Sequence, residues 1–177
     1  LIESMKNAAE AGCSMIYADQ GWEDSFGSGR WDSARLGPPG DFVRAAKKAG
    51  LVVGLLTGLH TDSDAWPRRF LQKDQDGNIL PGDHMGKGHR NGVCPAFKEW
   101  QEEKTARLKE LANAGMRFLS FAFHDYVAPC HDPEHGHRIP LLSWEHSLAV
   151  AAQQRETKRA CPGLVIESHD WLATASC

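Results

Sequence analysis

The sequence has little of what marks the more specialised classes of protein. Its longest mainly apolar stretch, Leu51 to Leu59, is too short and too glycine-rich to cross a bilayer as a helix, so no membrane partner is expected. Basic residues are not in excess: 20 Lys and Arg stand against 23 Asp and Glu, a formal net charge of −3. They are also scattered, so the electrostatic footprint of a nucleic-acid binder is missing. No Gly-x-Gly-x-x-Gly follows the first expected strand and no Walker A sequence occurs, which removes the main nucleotide-binding fingerprints; no cofactor is expected. The five cysteines (Cys13, Cys94, Cys130, Cys161, Cys177) are odd in number and contain no Cys-x-x-Cys pair. That argues against a disulfide framework or a zinc ribbon and suits a reducing compartment, so a cytoplasmic location is favoured over a secreted protein with one or two bridges. The chain opens on Leu1 with no legible signal peptide, and its first segment reads as the middle of something larger.

What is present is an ordinary globular composition, 41% hydrophobic and 24% charged over 177 residues. That length buries about 70% of the unfolded surface. It falls short of the roughly 250 residues of a complete eight-fold α/β barrel. Three times an Ala-Gly pair closes a helical pattern and opens an apolar run, at Ala11-Gly12, Ala49-Gly50 and Ala114-Gly115; Pro162-Gly163 does the same. Glycine just past a helix end satisfies the last carbonyls in a left-handed conformation, so the repeat unit is helix, glycine, strand. Asp41 is the expected cap of a helix over 42–49, a second amphipathic helix runs from Phe97 to Ala112, and Ser143 caps a third. The strands are nearly continuous apolar runs, as in a parallel sheet covered by helices. The expected fold is α/β: a partial (β/α)8 TIM barrel of about four strand-helix units, with residues 1–177 forming part of one catalytic domain and units lacking at both ends.

Long connections follow the strands, over 20–40, 59–95 and 124–142, whereas the returns from helix to strand are only a glycine or two. Structureless connections of that size tend to carry function, and these leave the C-terminal strand ends, where ligands bind in both barrels and open sheets.

Four strand ends carry the chemistry. The first reads Asp19-Gln20-Gly21-Trp22. A carboxylate accepts hydrogen bonds from sugar hydroxyls and an indole stacks on the apolar side of a pyranose, although Asp19 capping a turn and Trp22 filling core stay open as the alternative. The third ends His124-Asp125-Tyr126 and runs on through Cys130-His131-Asp132-Pro133-Glu134-His135-Gly136-His137. Imidazoles and a thiolate invite a metal, and a metal-dependent hydrolase using His124, His131, His135 or His137 is one alternative. The loop has no partner of recognised spacing, so no metal ligand is assigned and these side chains are expected to brace the loop by hydrogen bonds. The fourth ends Glu167-Ser168-His169-Asp170, where alternation points Glu167 and His169 one way and Ser168 and Asp170 the other. Two carboxylates across a pocket are what glycoside hydrolysis requires, so Asp125 with Glu167 or Asp170 forms the candidate catalytic pair.

The stretch Asp19-Gln20-Gly21-Trp22, then Gly27-Ser28-Gly29-Arg30-Trp31-Asp32, then Phe42 through Gly50 into Leu51-Val52-Val53-Gly54-Leu55 resembles the melibiase-type α-galactosidases of glycoside hydrolase families 27 and 36 and their family 31 relatives. The resemblance is strongest over the first third; farther on, Cys130 to Pro140 and Ile166-Glu167-Ser168-His169-Asp170 look like a bacterial subgroup of the same barrels. It implies a (β/α)8 glycosidase acting on an α-linked sugar, with an oligosaccharide or glycoside as partner. Asp19 then matches the first acid of a sugar-binding pair and Gln20 replaces the second; Trp22, Trp31, His124 and His169 complete the substrate-binding set. The family's nucleophile lies in a Lys-aromatic-Asp motif, where a gapless match puts Ser120 at the lysine and Ala122 at the nucleophile. Either Asp125 takes over that role or the barrel binds sugar without cleaving it. The family's acid/base lies on a strand beyond the one that ends at Glu167.

Overall fold

The computed structural model describes residues 2–19, 21–58, 60–61, 64–81, 91–122 and 129–168. Helices α1 (Ile2–Glu10), α2 (Ser33–Leu36), α3 (Pro39–Lys48), α4 (Lys98–Ala114) and α5 (Ser143–Ala160) are joined by strands β1 (Met15–Ala18), β2 (Val52–Gly58), β3 (His60–Thr61), β4 (Asn91–Gly92), β5 (Phe118–Ala122) and β6 (Val165–Ser168). The main sheet is parallel and runs in chain order, β1-β2-β5-β6. A doubly wound sheet reverses its order at one point and carries helices on both faces. An unreversed order with right-handed crossovers places every helix on one face, which is the geometry of a barrel wall.

The packing follows that rule. Ile16, Ala18, Val53, Leu55, Leu119, Phe121 and Ile166 point outward and form one core with Met5 of α1, Phe42 and Ala46 of α3, and Leu108 and Leu111 of α4. The alternate residues, Tyr17, Gly54, Leu56, Phe118, Ser120, Val165 and Glu167, face the other way, as the register pairs them: Tyr17 with Gly54, Gly54 with Phe118, Ser120 with Glu167. Tyr17, Val52 and Val165 on that inner face are among the exposed large apolar residues. The expected partial barrel is therefore the observed architecture.

The helix-glycine-strand reading holds at Gly12, Gly50 and Gly115, all at positive φ. Gly115 is also a close approach, since a Cβ there would stand 2.6 Å from Val43 Cγ1. Two helix starts differ from expectation. The helix assigned to 42–49 begins at Pro39, because proline is preorganised for a first turn and its lack of an N–H costs nothing there. Ser143 is the first residue of α5 and not its cap; the exposed backbone N–H of Leu142 is satisfied instead by Glu145 Oε2 at 2.8 Å.

The connection after β2 is not structureless. Strands β3 and β4 pair antiparallel, isolated bridges join Leu71 to Val93 and Lys73 to Ile79, and a second core gathers Ala65, Trp66, Phe70, Leu71, Val93, Trp100 and Val150. The loop after β1 is strapped to α4 by buried charge. Glu23 accepts from the Gly27 and Gly29 amides at 2.8 and 2.6 Å, and Lys104 donates to the Gly27 carbonyl at 3.3 Å. Burial holds the Glu23 carboxyl above its ordinary value despite Lys104 and the two amides, and burial pushes the Lys104 ammonium down to about 8 despite Glu23.

Candidate functional site

At the C-terminal half of the inner face, three strands contribute one polar cluster. Ser120, fully buried on β5, donates through Oγ to Glu167 Oε2 on β6 at 2.8 Å. Tyr17 on β1 leans toward Ser120 across the intervening strand β2. That crossing needs Gly54: a Cβ there would lie 3.2 Å from Tyr17 Cδ2 and 3.0 Å from Phe118 Cδ1. The two rings meet edge to face over it at 6.1 Å. Burial raises the Tyr17 phenol above its usual value, and the charges of Asp19 and Glu167 add to this while Ser120 opposes it. Asp19 follows β1 directly and is exposed, as is Glu167. Ala122, the last residue of β5, shares the face of Ser120 and brings no acid to it.

Of the expected site residues, Glu167 faces the barrel interior, while Ser168 turns outward to accept from Gln154 of α5 at 3.2 Å, as alternation required. Trp22 is a correction. Only 2% exposed, it donates its indole N–H to the Leu56 carbonyl at 2.8 Å and belongs to the core, so it has no free face for a sugar. Gly21, at φ 82°, turns the chain back so that the ring enters beneath the sheet. Trp31 is corrected likewise: its N–H donates to the Gly37 carbonyl, and its ring packs on Trp22 and Phe42. Gln20, His124, Asp125, His169 and Asp170 lie outside the described residues. Tyr17 was missed, although its position two residues before Asp19 puts both on one strand face.

A second cluster joins two loops that leave the same end of the sheet. Cys94 lies after β4, and Cys130, His135 and His137 lie in the connection from β5 to α5. Their ligand atoms all lie within 4.8 Å of one another. Cys94, remote in sequence, is brought against the histidine-rich loop, for which the sequence offers no partner of recognised spacing. Cys130 Sγ lies 3.4 Å from His135 Nδ1. Cys130 sits well below the ordinary thiol value because Cys94 donates to it, assisted by His135 and the Asp132 and Lys73 amides; Cys94 is raised in turn. His131 takes no part in the cluster; its amide donates to the Lys73 carbonyl at 2.8 Å. Three of the four side chains are buried and His137 is half-buried, and His124 lies outside the described residues.

A small cavity lined by Ala112, Arg117, Cys161 and Leu164 lies at the opposite, N-terminal ends of β5 and β6, away from both clusters. No helix among the described residues is long and apolar enough to cross a membrane.

A parallel sheet in chain order, helices on one face and polar groups at the C-terminal strand ends together define a segment of a (β/α)8 barrel. Solved structures that it resembles include α-galactosidases. They include the enzyme from Lactobacillus brevis, with TM-score 0.77, 17% identity and coverage of 94% of this chain and 24% of that one. The Thermus thermophilus enzyme, in complex with stachyose, gives TM-score 0.76 and 13% identity over 98% of this chain and 37% of that one. A family 36 α-galactosidase from Geobacillus stearothermophilus, in complex with raffinose, gives 0.75 and 13% over 94% and 25%. The chain thus spans from about a quarter to just over a third of these proteins, and at such identities the likeness is one of fold. No protein-family model and no curated protein matches the sequence.

Proposed function

We propose that the protein is a glycoside hydrolase that cleaves an α-linked sugar of the galactoside class. The observation that carries this reading is the Ser120–Glu167 hydrogen bond with Tyr17 and Asp19 beside it, on the interior face and at the strand ends of a barrel fold shared with α-galactosidases. In this reading Asp19 accepts hydrogen bonds from sugar hydroxyls. Glu167 is one of two acids. Ser120 holds its Oε2, fixing the carboxylate that acts on the glycosidic oxygen or a water. Asp125 or Asp170 supplies the second carboxylate, as the two-acid chemistry requires.

A second reading, a barrel that binds carbohydrate without cleaving it, is favoured by one observation. Ala122 and Ser120 occupy the strand end where the family places its nucleophile and its lysine. Turnover of an aryl α-galactoside separates the two. The hydrolase reading expects turnover that Asp125→Asn reduces on the order of 100-fold or more while sugar binding persists. Full activity in Asp125→Asn removes that residue from the chemistry, and sugar binding without turnover in the unaltered protein establishes the silent barrel.

A further inference from the structure

We infer that Cys94, Cys130, His135 and His137 form a structural zinc site that staples two loops of the barrel rim together. Two thiols and two imidazoles suit a borderline-soft, tetrahedral d10 ion, and their protein-only set of four matches a closed structural site. Around a tetrahedral zinc, with about 2.3 Å to sulfur and about 2.0–2.1 Å to nitrogen, neighbouring donors stand roughly 3.4–3.8 Å apart. Cys130 Sγ and His135 Nδ1 are 3.4 Å apart, and no pair among the four donors exceeds 4.8 Å.

The surroundings prepare each donor. A carbonyl oxygen only accepts, so His135 Nε2, 2.7 Å from the Arg69 carbonyl, carries the proton and leaves the lone pair of Nδ1 toward Cys130. His137 is set the same way with its nitrogens exchanged. Nδ1–H donates to the Arg138 carbonyl at 2.7 Å, and Nε2 is buried with no hydrogen-bond partner. Metal-bound histidines have this arrangement, the far nitrogen held by a carbonyl or carboxylate; the Asp132 carboxylate also lies 3.4 Å from His135 Nε2. Gly136, at φ 71°, reverses the chain between the two imidazoles so that both reach one point. The sulfurs are equally enclosed: Cys94 and Cys130 are both 0% exposed. With both cysteines as thiolates around Zn2+, the buried assembly of one dication and two thiolates is neutral, with neutral imidazoles completing it.

The site is structural because its positions are filled and because of what it joins. Cys94 ends the β3–β4 segment just before α4, the other three donors belong to the loop after β5, and the Arg69 carbonyl ties in a third stretch. A reducing agent during purification followed by reconstitution with Zn2+ alone is expected to give one zinc per chain by elemental analysis. Replacement by Co2+ should give the intense visible bands of a tetrahedral ion together with thiolate-to-cobalt charge transfer. His137→Ala tests the set without endangering the core, since that side chain is only half-buried. Its zinc affinity should fall by about 100-fold or more against a competing chelator, with an unchanged circular dichroism spectrum. Absence of stoichiometric zinc after reconstitution, octahedral cobalt spectra, a Cys94–Cys130 disulfide as the stable form under reducing purification, or equal affinity in His137→Ala would each overturn the assignment.

Discussion

Two polar clusters stand at one end of the sheet and are built in opposite ways. The first draws Tyr17, Ser120 and Glu167 from rigid neighbouring strands, and its carboxylates at Asp19 and Glu167 are open to a ligand. The second draws Cys94, Cys130, His135 and His137 from loops, and its donors point at one another with their remaining hydrogen bonds made to backbone. Acids left exposed on a fixed scaffold suit the binding and turnover of a small molecule. Donors that are enclosed and mutually directed suit an ion that stays. The loops are therefore held by the closed cluster while the open one is held by the sheet.

Changes at each kind of cluster should separate these roles. The largest effect on stability is expected from stripping zinc: with free zinc at a thousandfold above Kd, its removal lowers the unfolding free energy by about 4 kcal/mol. Denaturant unfolding before and after chelation measures it, and identical midpoints would place the closed cluster on a par with ordinary loop contacts. Next, Glu23→Gln leaves Lys104 buried without its counter-charge and should cost about 3 kcal/mol, whereas replacing both by apolar residues of similar volume should cost far less. A double-mutant cycle decides it, because a double variant that costs the sum of the two singles would show that the pair does not interact. A smaller effect, about 2 kcal/mol, is expected of Gly54→Val, which blocks the crossing of Tyr17 to Ser120 without touching the loops. It should lower activity and leave zinc content unchanged; an unaltered Tyr17 environment by fluorescence would contradict that role for the glycine.

The gentlest effect is one of pH. Lys104 is pushed down to about 8 from 10.5, so between those values the unfolded chain holds a proton that the folded one has released. The Lys104 contribution to stability therefore rises with pH across that window and is lost as pH falls through 8. Lys104→Met should remove this part of the slope in denaturant midpoints measured over the same range.

How far the sequence could be read depended on distance along the chain. Helix ends at Gly12, Gly50 and Gly115 are local events, set by backbone conformation, and the sheet order follows from them. The inward aim of Glu167 follows from strand alternation alone. Trp22 and Trp31 escaped because the acceptors of their indole N–H groups, the Leu56 and Gly37 carbonyls, are fixed by tertiary packing and by the turn at Gly21. The Cys94 pairing with the His135–His137 loop escaped for a related reason. Spacing motifs see ligands within one loop, whereas adjacent parallel strands bring loops from separate units side by side. Glu23 and Lys104 meet across the same kind of gap, one in the loop after β1 and the other inside α4.

In the proposed function the open cluster processes carbohydrate with Glu167 as a working acid. The most direct test is the rate of aryl α-galactoside hydrolysis by the protein and by Glu167→Gln, with sugar affinity measured on both. Turnover by the unaltered protein is expected, with a loss on the order of 10²–10⁴-fold in kcat for Glu167→Gln and affinity changed far less. Undiminished kcat in Glu167→Gln would contradict it.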